Sequence, residues 1–250
     1  MTTVSVCMAT YNGAAYVAHQ LRSILDELHP DDEVVVVDDA SSDQTVDIVR
    51  GLDDPRVRVI VQEVNSGYVA SFERALREAR GDVMMLSDQD DEWVPGRRAV
   101  LVAALERGDV VASNLELLGS GDPLRSPLGG RPWRLRERSD GRRVRTEMSI
   151  LAGLAPYYGC AMALRRSALE YALPFPSGLR ESHDLWIATV ANRAGTLVHL
   201  EDVTVRRRIH GANASSSSPR GVRAAVRSRL LMSRLWMDAN RRVRARRRTH

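Results

Sequence analysis

The residues best suited to chemistry form an acidic cluster directly after a short apolar run. Val83–Leu86 is short, continuous and apolar, which predicts a buried β-strand, and Ser87–Trp93 follows it. Ionised carboxylates repel one another and are costly to bury unless a cation or hydrogen-bond donors compensate them. Asp88 and Asp90 are two positions apart, so they point the same way in an extended segment. They offer the oxygen ligands that hold Mg²⁺ or Mn²⁺ on a diphosphate. The alternative is a polar turn with an acidic surface.

Two further polar clusters also follow predicted strands. Val4–Ala9 predicts a first strand and leads into Thr10-Tyr11-Asn12, and Val34–Val37 predicts a second strand that ends in Asp38-Asp39. In an open α/β sheet, ligands bind at the carboxyl ends of the strands. We therefore expect the three clusters to share one edge. Asp38-Asp39 alone is also compatible with a helix cap and a turn, but its agreement with the other clusters favours a nucleotide site.

The elements that position these clusters alternate between strands and amphipathic helices. Val57–Val61 predicts a third strand. Apolar residues at helical spacing predict the inward faces of three helices: Val17, Leu21, Ile24, Leu25 and Leu28; Val46, Val49 and Leu52; and Val69, Phe72, Leu76 and Ala79. This alternation predicts right-handed βαβ units and a parallel sheet. The sequence has no Gly-x-Gly-x-x-Gly and no Gly-Lys-Ser/Thr loop, which argues against a dinucleotide enzyme and a P-loop NTPase.

Composition and charge describe an ordinary globular chain with an unusual end. The 250 residues are 44% hydrophobic and 27% charged, which favours one large α/β domain with appendages. From Pro219 onward there are 11 arginines and a single acid, whereas the first 218 residues carry 25 arginines and 31 acids. An acidic body with a basic tail suggests an anionic partner such as a membrane surface or nucleic acid.

Cysteine usage and the N-terminal residues bear on the compartment. Cys7 and Cys160 lie in apolar runs, which predicts small buried side chains rather than a disulfide or a metal pair. The first residues do not have the charged-then-apolar pattern of a signal peptide, and no apolar run approaches membrane-spanning length. We therefore expect a cytoplasmic location.

Five ordered segments carry a family resemblance. They are Ala9–Gly13, Val37–Thr45, Asn65–Gly67, Gly81–Asp82 and Ser87–Pro95. In order and spacing they resemble the nucleotide-binding half of a family 2 glycosyltransferase with the GT-A fold. The resemblance covers the first 95 residues most closely.

The resemblance implies roles for individual residues in this half. It implies that Asp39 contacts the base of a uridine or thymidine diphosphate sugar and that Asp88 lies by the ribose. It also implies that Asp90 binds Mn²⁺ or Mg²⁺. The donor-binding residues that it implies are Thr10, Tyr11, Asn12, Asp39, Gly67, Asp88 and Arg208.

A second acidic position lies further along the chain, in Glu181–Trp186. Ser182 is a plausible helix cap, which places Asp184 in the first turn, where the helix dipole stabilises a carboxylate. In the family an acidic residue at such a helix start is the catalytic base, so the resemblance implies this role for Asp184, with a near-normal pKa. Helix capping is the alternative. The His183–Trp186 sequence resembles a rhamnosyltransferase-like subgroup, and His183 either orients the base or caps the helix.

The segment Val203–Asn213 resembles the Arg-x-His-Gly-x-Asn segment with which the family closes over the diphosphate. The resemblance implies that Arg208 and His210 neutralise phosphate charge and that His210 is a further metal ligand. Gly119–Arg145 is rich in Gly, Pro and Arg, which predicts a long loop. In a transferase it would face the acceptor. Trp133 either stacks there on a sugar ring or belongs to a solvated loop.

The end of the chain predicts a long basic helix. No turn residue interrupts the sequence after Gly221, and apolar residues recur at nearly helical spacing at Val222, Val226, Leu230, Trp236 and Val243. Arginines fill much of the remaining surface. Such a helix either lies on an anionic bilayer surface or packs its apolar stripe on the domain.

The prediction as a whole is an α/β GT-A protein with a mostly parallel sheet. Residues 1–218 form the transferase domain, with a nucleotide-binding half at 1–95 and an acceptor half at 96–218, and residues 219–250 form the basic helix. The expected activity is metal-dependent, inverting transfer from a UDP- or dTDP-linked sugar to a hydroxyl of a glycan, a lipid-linked glycan or a natural product, as in polysaccharide biosynthesis. We expect a cytoplasmic protein with peripheral contact to the inner membrane face.

Two other classes of protein share some of these features. A nucleotidyltransferase acting on sugar phosphates has a similar sheet and acidic site, but usually a Gly-rich basic loop after the first strand, which Thr10–Gly13 is not. A non-catalytic nucleotide-binding or nucleic-acid-binding protein would use a basic face, yet the body of this chain is net acidic. No nucleic acid partner is therefore expected.

Overall fold

A computed structural model describes residues 2–126, 129–211 and 222–249, with side chains in the last helix described for residues 229–246. Eight strands form one sheet: β1 (Val4–Thr10), β2 (Glu33–Asp38), β3 (Val57–Val61), β4 (Val83–Ser87), β5 (Glu92–Trp93), β6 (Val110–Leu117), β7 (Met162–Arg165) and β8 (Leu197–Arg207). Their order across the sheet is β3-β2-β1-β4-β7-β6-β8-β5.

The helices cover both faces of this sheet. They are α1 (Val17–Leu25), α2 (Thr45–Arg50), α3 (Tyr68–Glu78), α4 (Arg97–Ala104), α5 (Arg143–Ala152), α6 (Leu169–Ala172), α7 (His183–Ala194) and α8 (Val222–Thr249). Short 3₁₀ turns occur at Leu105–Arg107, Glu137–Ser139, Gly159–Ala161 and Arg166–Ala168.

The sheet has a parallel half and a mixed half. Strands β3, β2, β1 and β4 pair in parallel, as the alternation of strands and helices predicts. Strand β7 is antiparallel to both β4 and β6, β6 and β8 are parallel, and β5 is antiparallel to β8. The predicted mixed α/β architecture of a GT-A protein is confirmed, and each antiparallel pair among the named strands involves β5 or β7.

Two hydrophobic cores lie on opposite faces of the sheet because successive strand residues alternate between faces. In β2, Val35 and Val37 pack into the core that contains α3, α7 and α8, while Val34 and Val36 pack into the core that contains α1 and α4. All four valines are fully buried. Burial on both faces explains why this strand is apolar throughout.

Helix α5 lies where the sequence predicts the end of a long loop. It begins at Arg143, inside the predicted Gly119–Arg145 loop, and its buried residues include Thr146 and Glu147. Glu147 Oε2 accepts a hydrogen bond from Asn192 Nδ2 at 2.8 Å, which ties α5 to α7. The helix was missed because its inward face is partly polar and gives no apolar period.

The long C-terminal helix is confirmed, and its inward stripe packs on the domain. The buried residues of this stripe are Met232, Leu235, Ala239 and Val243. Leu230 is 60% exposed and Trp236 is 36% exposed, so these two members of the predicted stripe are outside the core. The side chains of Val222 and Val226, and the predicted boundary at residues 218–219, lie outside the described residues. Among the described helices, none has the length and apolar character needed to cross a membrane.

Candidate active site

The three polar clusters predicted to share an edge meet there. Strand β1 lies between β2 and β4, and the parallel register pairs Thr10 with Asp38 and Met8 with Ser87. The carboxyl ends of these strands are therefore adjacent. They line one pocket, and the other wall comes from the second half of the chain. The lining includes Thr10, Tyr11, Asp39, Asp88, Gln89, Asp90, Asp91, Tyr158, Glu181, His183, Asp184 and Arg207.

Asp39, which follows β2, organises the loop after β3 at one edge of the pocket. This residue is 2% exposed, and its Oδ1 accepts hydrogen bonds from Gln62 Nε2 at 2.7 Å and from Ser66 N–H at 2.8 Å. Its Oδ2 accepts from Gly67 N–H at 2.8 Å. Gly67 has φ 86°, a conformation that side chains disfavour, so it shapes the loop that holds Asp39. A carboxylate offers about four acceptor sites, and the described residues use three of them, which leaves one for a ligand.

The residues after β1 divide into pocket residues and loop residues. Thr10 Oγ1 donates to Asp38 Oδ1 at 2.9 Å, and Thr10 and Tyr11 both line the pocket. Asn12 does not line it. Its Oδ1 accepts from Ser42 N–H at 2.8 Å and so joins the loops after β1 and β2. The implied donor-binding role of Asn12 stays a prediction. The contact that the structure shows for this side chain is the one between the two loops.

In the acidic cluster, burial and mutual repulsion disfavour the ionised form of the carboxyl groups. Burial raises the pKa of Asp88 and of Asp91, and repulsion among these carboxylates and Asp90 raises both further. Asp91 Oδ1 accepts from Arg208 N–H at 3.0 Å, and its buried Oδ2 has no partner among the described residues. A bound cation would relieve this repulsion.

The segment after β8 closes over the cluster through His210. His210 Nε2 lies 2.7 Å from Asp90 Oδ2, and the two side chains are only 15% and 13% exposed. Tyr16 stacks on the His210 ring, with centroids 4.5 Å apart and an interplanar angle of 22°. The Arg208 guanidinium lies 5.3 Å from the Tyr16 ring centre, and its Nε donates to the Asp90 carbonyl at 3.1 Å. Tyr16 directly precedes α1 and belongs to no apolar stripe, so the sequence pattern gave no signal for it.

The residues present suit a divalent metal. Asp90 and His210 bring an oxygen and a nitrogen ligand within 2.7 Å of each other, and Asp88 lines the same pocket. Asp88, Asp91 and Cys160 also place ligand atoms within 4.8 Å of one another. Burial raises the pKa of the Cys160 thiol well above its ordinary value, so the thiol is protonated at neutral pH. The available donors are therefore mainly carboxylates, which suit Mg²⁺ or Mn²⁺. Both cysteines are free and buried, as predicted.

The predicted base, Asp184, lines the same pocket from the first turn of α7. Asp184 is half-buried, and its Oδ1 accepts its neighbour Leu185 N–H at 2.7 Å. Burial raises the pKa of Asp184 to about 6, although the positive charge of Arg207 acts to lower it. The expectation of a near-normal pKa was therefore wrong, because the sequence does not show how far the carboxyl is withdrawn from water.

The residues before Asp184 do not act as predicted. Ser182 occupies the N-cap position with φ 65°, but its side chain makes no capping hydrogen bond. His183 is 5% exposed and stacks on Phe72, with centroids 4.4 Å apart. Neither of its ring nitrogens has a partner among the described residues, so it neither caps α7 nor hydrogen-bonds the base. Burial lowers the pKa of His183 to about 3, which keeps the ring neutral.

Of the consecutive arginines at the end of β8, the one that reaches the pocket is Arg207. Arg206 pairs with Glu92 at 2.7 Å and with Glu116 at 3.2 Å on the other face. Arg208 lies beyond the strand, against Tyr16, and is not part of the lining. Sequence reasoning missed Arg207, because only the strand register shows which residue faces the pocket. The donor-binding role of Arg208 stays a prediction.

Trp133 lies beside the pocket wall rather than in open solvent. Its Nε1 donates to the Leu154 carbonyl at 2.9 Å, and its ring meets Tyr158 edge-on at 6.1 Å between centroids. Tyr158 lines the pocket. The loop predicted to face the acceptor thus adjoins the site, and sugar stacking by Trp133 stays a prediction.

Comparison with known proteins agrees with this geometry. The sequence pattern of the family described as glycosyl transferase family 2 matches residues 5–172, more than half of the chain. This chain belongs to glycosyl transferase family 2. An uncharacterized glycosyltransferase of Nostoc sp. is 28% identical to this family 2 member over 221 residues, covering 86% of the chain and 67% of that protein. The TuaG protein of Bacillus subtilis, a putative teichuronic acid biosynthesis glycosyltransferase, is 38% identical over 92 residues, or 36% of each protein.

Solved structures of similar fold bind nucleotide sugars. The S. aureus TarS fragment 1–349 in complex with UDP-GlcNAc superposes with a TM-score of 0.70 at 22% identity, covering 94% of this family 2 chain and 66% of the fragment. The mannosyltransferase PcManGT of Pyrobaculum calidifontis, in complex with GDP-Man and Mn²⁺, gives a TM-score of 0.62 at 19% identity, covering 97% and 73%. At these identities the likeness shows the GT-A fold alone. The chain spans about a third of TuaG and just under two thirds of the TarS fragment.

Proposed function

We propose that this glycosyltransferase moves a sugar, with inversion, from a UDP- or dTDP-linked donor to a hydroxyl group of a glycan, a lipid-linked glycan or a natural product. The observation that carries the proposal is the shared pocket. Its lining includes Asp39 and the acidic cluster Asp88–Asp91, from the loops after β2 and β4, together with the half-buried carboxylate of Asp184 at the start of α7. A donor bound between them would present its anomeric carbon to a hydroxyl held at Asp184.

The nucleotide would be held at the carboxyl ends of β1, β2 and β4. Asp39 keeps one free acceptor site for a base N–H, and three protein donors hold its carboxylate in place. Tyr11 is 47% exposed at the same edge, where its ring can cover a base. Among the described residues around the pocket, no Gly-rich phosphate loop is present, so the diphosphate must be neutralised by other groups.

The diphosphate would be held at Asp90 and His210 with a divalent cation. Such an ion, when bound, stabilises the negative charge that develops on the departing diphosphate. The two side chains lie 2.7 Å apart and Tyr16 stacks on the His210 ring, so little rearrangement is needed to present both to one ion. Asp88, on the same wall, is placed to contact the ribose or the ion.

Asp184 would serve as the general base. It takes the proton of the acceptor hydroxyl as the hydroxyl oxygen forms its bond to the anomeric carbon. The bond from that carbon to the diphosphate oxygen breaks on the opposite face, and its electron pair leaves with the nucleoside diphosphate. Attack opposite to the leaving group inverts the anomeric configuration. With a pKa of about 6, Asp184 is mostly ionised at neutral pH and more basic than an ordinary aspartate.

The outward face of α8 suits contact with a membrane surface that presents the acceptor. Helix α8 turns Met232 and Leu235 inward, and the face directed away from the core carries Leu230 and Met237. Exposed arginines flank these two residues, at positions 234, 241 and 244. We propose that the enzyme is cytoplasmic and that this face of α8 makes a peripheral contact with the inner face of an anionic membrane. The similarity to TuaG, a putative teichuronic acid biosynthesis glycosyltransferase, supports a glycan as acceptor.

The proposal is tested with a panel of nucleotide sugars. UDP-, dTDP- and GDP-linked sugars are incubated with the protein and Mn²⁺, Mg²⁺ or EDTA, and released nucleoside diphosphate is measured. Metal-dependent release from one donor class supports the proposal. Asp90→Ala should abolish it, whereas Asp47→Ala, at an exposed position of α2, should leave it unchanged. Formation of a nucleotide sugar from a nucleoside triphosphate and a sugar phosphate, with pyrophosphate release, would instead show a nucleotidyltransferase.

A further inference from the structure

The pocket carries a strong excess of negative charge. Six of its lining residues are carboxylic acids: Asp39, Asp88, Asp90, Asp91, Glu181 and Asp184. Among the described residues that line it, Arg207 is the one arginine, and the single imidazole, His183, is neutral. A donor diphosphate would add two further negative charges to this site. A fixed positive group beside the divalent cation would help to balance these charges.

The guanidinium of Arg207 lines this pocket and has no acceptor among the described residues. No hydrogen bond or ion pair joins its side chain to the described part of the chain, although a guanidinium has five N–H donors. Its one aromatic contact is Tyr158, whose ring centre lies 5.4 Å from the guanidinium carbon. That contact leaves the donors on the guanidinium edge available. Arg206, the preceding residue, has two carboxylate partners instead.

The position of Arg207 relates it to both halves of the proposed reaction. Its charge acts on Asp88 and Asp91 on the nucleotide side and on Asp184 on the acceptor side. The bond that breaks in sugar transfer must lie between these two sides, because the base serves the attacking oxygen and the acidic cluster serves the diphosphate. A cation near both is therefore near the departing phosphate.

We infer that Arg207 binds the sugar-linked phosphate of the donor and stabilises it as the leaving group. The inference rests on the proposed function. As the bond between the anomeric carbon and the phosphate oxygen breaks, its electron pair passes to that oxygen, and the guanidinium N–H groups donate to the phosphate that gains the charge. Paired N–H donors in one plane match a phosphate better than an ammonium does.

The first test compares ligands that differ in the phosphate Arg207 would hold. UDP, UMP and inorganic pyrophosphate are titrated calorimetrically, with Mn²⁺, into wild type, Arg207→Gln and Arg207→Lys. Pyrophosphate has no base, so its result does not depend on which nucleotide the enzyme prefers. Arg207→Gln should weaken UDP and pyrophosphate binding by about 10- to 100-fold, the range expected for a hydrogen bond between charged groups, and UMP binding much less. Arg207→Lys should lie between wild type and Arg207→Gln.

Arg206→Gln is the matched control, since it removes the neighbouring arginine from the opposite face of β8. It should bind all three ligands as wild type does. Equal affinity of wild type and Arg207→Gln for UDP and pyrophosphate would overturn the inference. Equal weakening for UMP and UDP would also overturn it, because the lost contact would then lie elsewhere on the nucleotide.

A kinetic measurement separates this inference from the proposed function. Donor cleavage by Arg207→Gln should lose about 10²–10³-fold in kcat, as when one donor to a developing oxyanion is removed. An unchanged kcat with a raised acceptor KM would place Arg207 on the acceptor and overturn the inference. Wild type that binds pyrophosphate but cleaves no nucleotide sugar would instead contradict the proposed function.

Discussion

The replacement of Asp184 by asparagine gives the most direct measurement of the proposed base. The substitution keeps the shape of the side chain, and the amide oxygen can still accept the Leu185 N–H that the carboxylate accepts at 2.7 Å. The start of α7 should therefore be unchanged. Asparagine cannot take a proton, so turnover should fall by about 10²–10⁴-fold, the usual contribution of a general base. Donor binding should be unaffected.

The pH dependence of wild type follows from the pKa of about 6 at Asp184. The base works in its ionised form, so about nine tenths of the enzyme is competent at pH 7 and about one tenth at pH 5. We expect kcat/KM to fall about tenfold between these values. Because Arg207 lowers the Asp184 pKa, Arg207→Gln should move the profile to higher pH. Glu181, Asp88 and Tyr68 also face this part of the pocket, and Asp184→Asn keeps all three side chains.

The assay is release of nucleoside diphosphate from the donor at saturating Mn²⁺, with water taking the place of the acceptor hydroxyl. Saturating metal keeps titration of the metal ligands from contributing to the profile. Each variant is measured from pH 5 to 8, and donor affinity is measured separately by calorimetry. A profile in Asp184→Asn with wild-type rate and the same acidic limb would refute the base assignment. Loss of donor affinity in this variant would move Asp184 to the donor side.

The remaining predictions concern contacts around the pocket and on α8. Tyr16→Leu should weaken Mn²⁺ binding about tenfold, since outer contacts to a ligand such as His210 typically contribute 10–100-fold, whereas Tyr16→Phe keeps the stack and should bind as wild type. Titration followed by electron paramagnetic resonance measures this, and equal affinity in both variants would contradict it. His183→Phe should reduce acid destabilisation. In wild type the unfolded imidazole gains a proton below pH 6.5 and the buried one, with a pKa of about 3, does not, so stability is lost as pH falls. The difference between wild type and variant should reach about 2 kcal/mol at pH 5 in denaturant unfolding, and parallel pH curves would refute it. Replacing Arg234 and Arg244 together by glutamine should lower binding to anionic vesicles about tenfold at low salt. Equal sedimentation of wild type and this double variant with the vesicles would refute the proposed membrane contact.

The sequence by itself determined the nucleotide half of the fold. Strands β1, β2 and β4 are short apolar runs that end in polar residues, and the helices between them carry apolar residues at helical spacing. These signals are local, so they are visible without tertiary structure. The rule that parallel strands present their carboxyl ends at one edge then placed Thr10, Asp39 and Asp88 together, and the register confirms it.

The family resemblance also singled out Asp184, Asp90 and His210, whose roles stay predictions, but it did not show their environment. The pKa of Asp184 depends on how much water the pocket admits, which is a property of the assembled walls. The stack of Tyr16 on His210 joins residues that are far apart in the chain. Neither the pKa of Asp184 nor the stacking of Tyr16 on His210 can be predicted from the spacing of residues along the sequence.

Only the tertiary structure decided which faces point where in the second half of the chain. Side chains alternate along a strand, so a shift of one residue decides whether Arg206 or Arg207 enters the pocket, and the pairing of β8 with β6 sets that choice. In α8, Leu230 and Met232 are equally apolar in the sequence, yet one is exposed and the other is buried because α7 covers a single stripe. In a run of arginines or of scattered apolar residues, the local sequence pattern does not show which residue faces inward. Contacts with elements distant in the chain decide that.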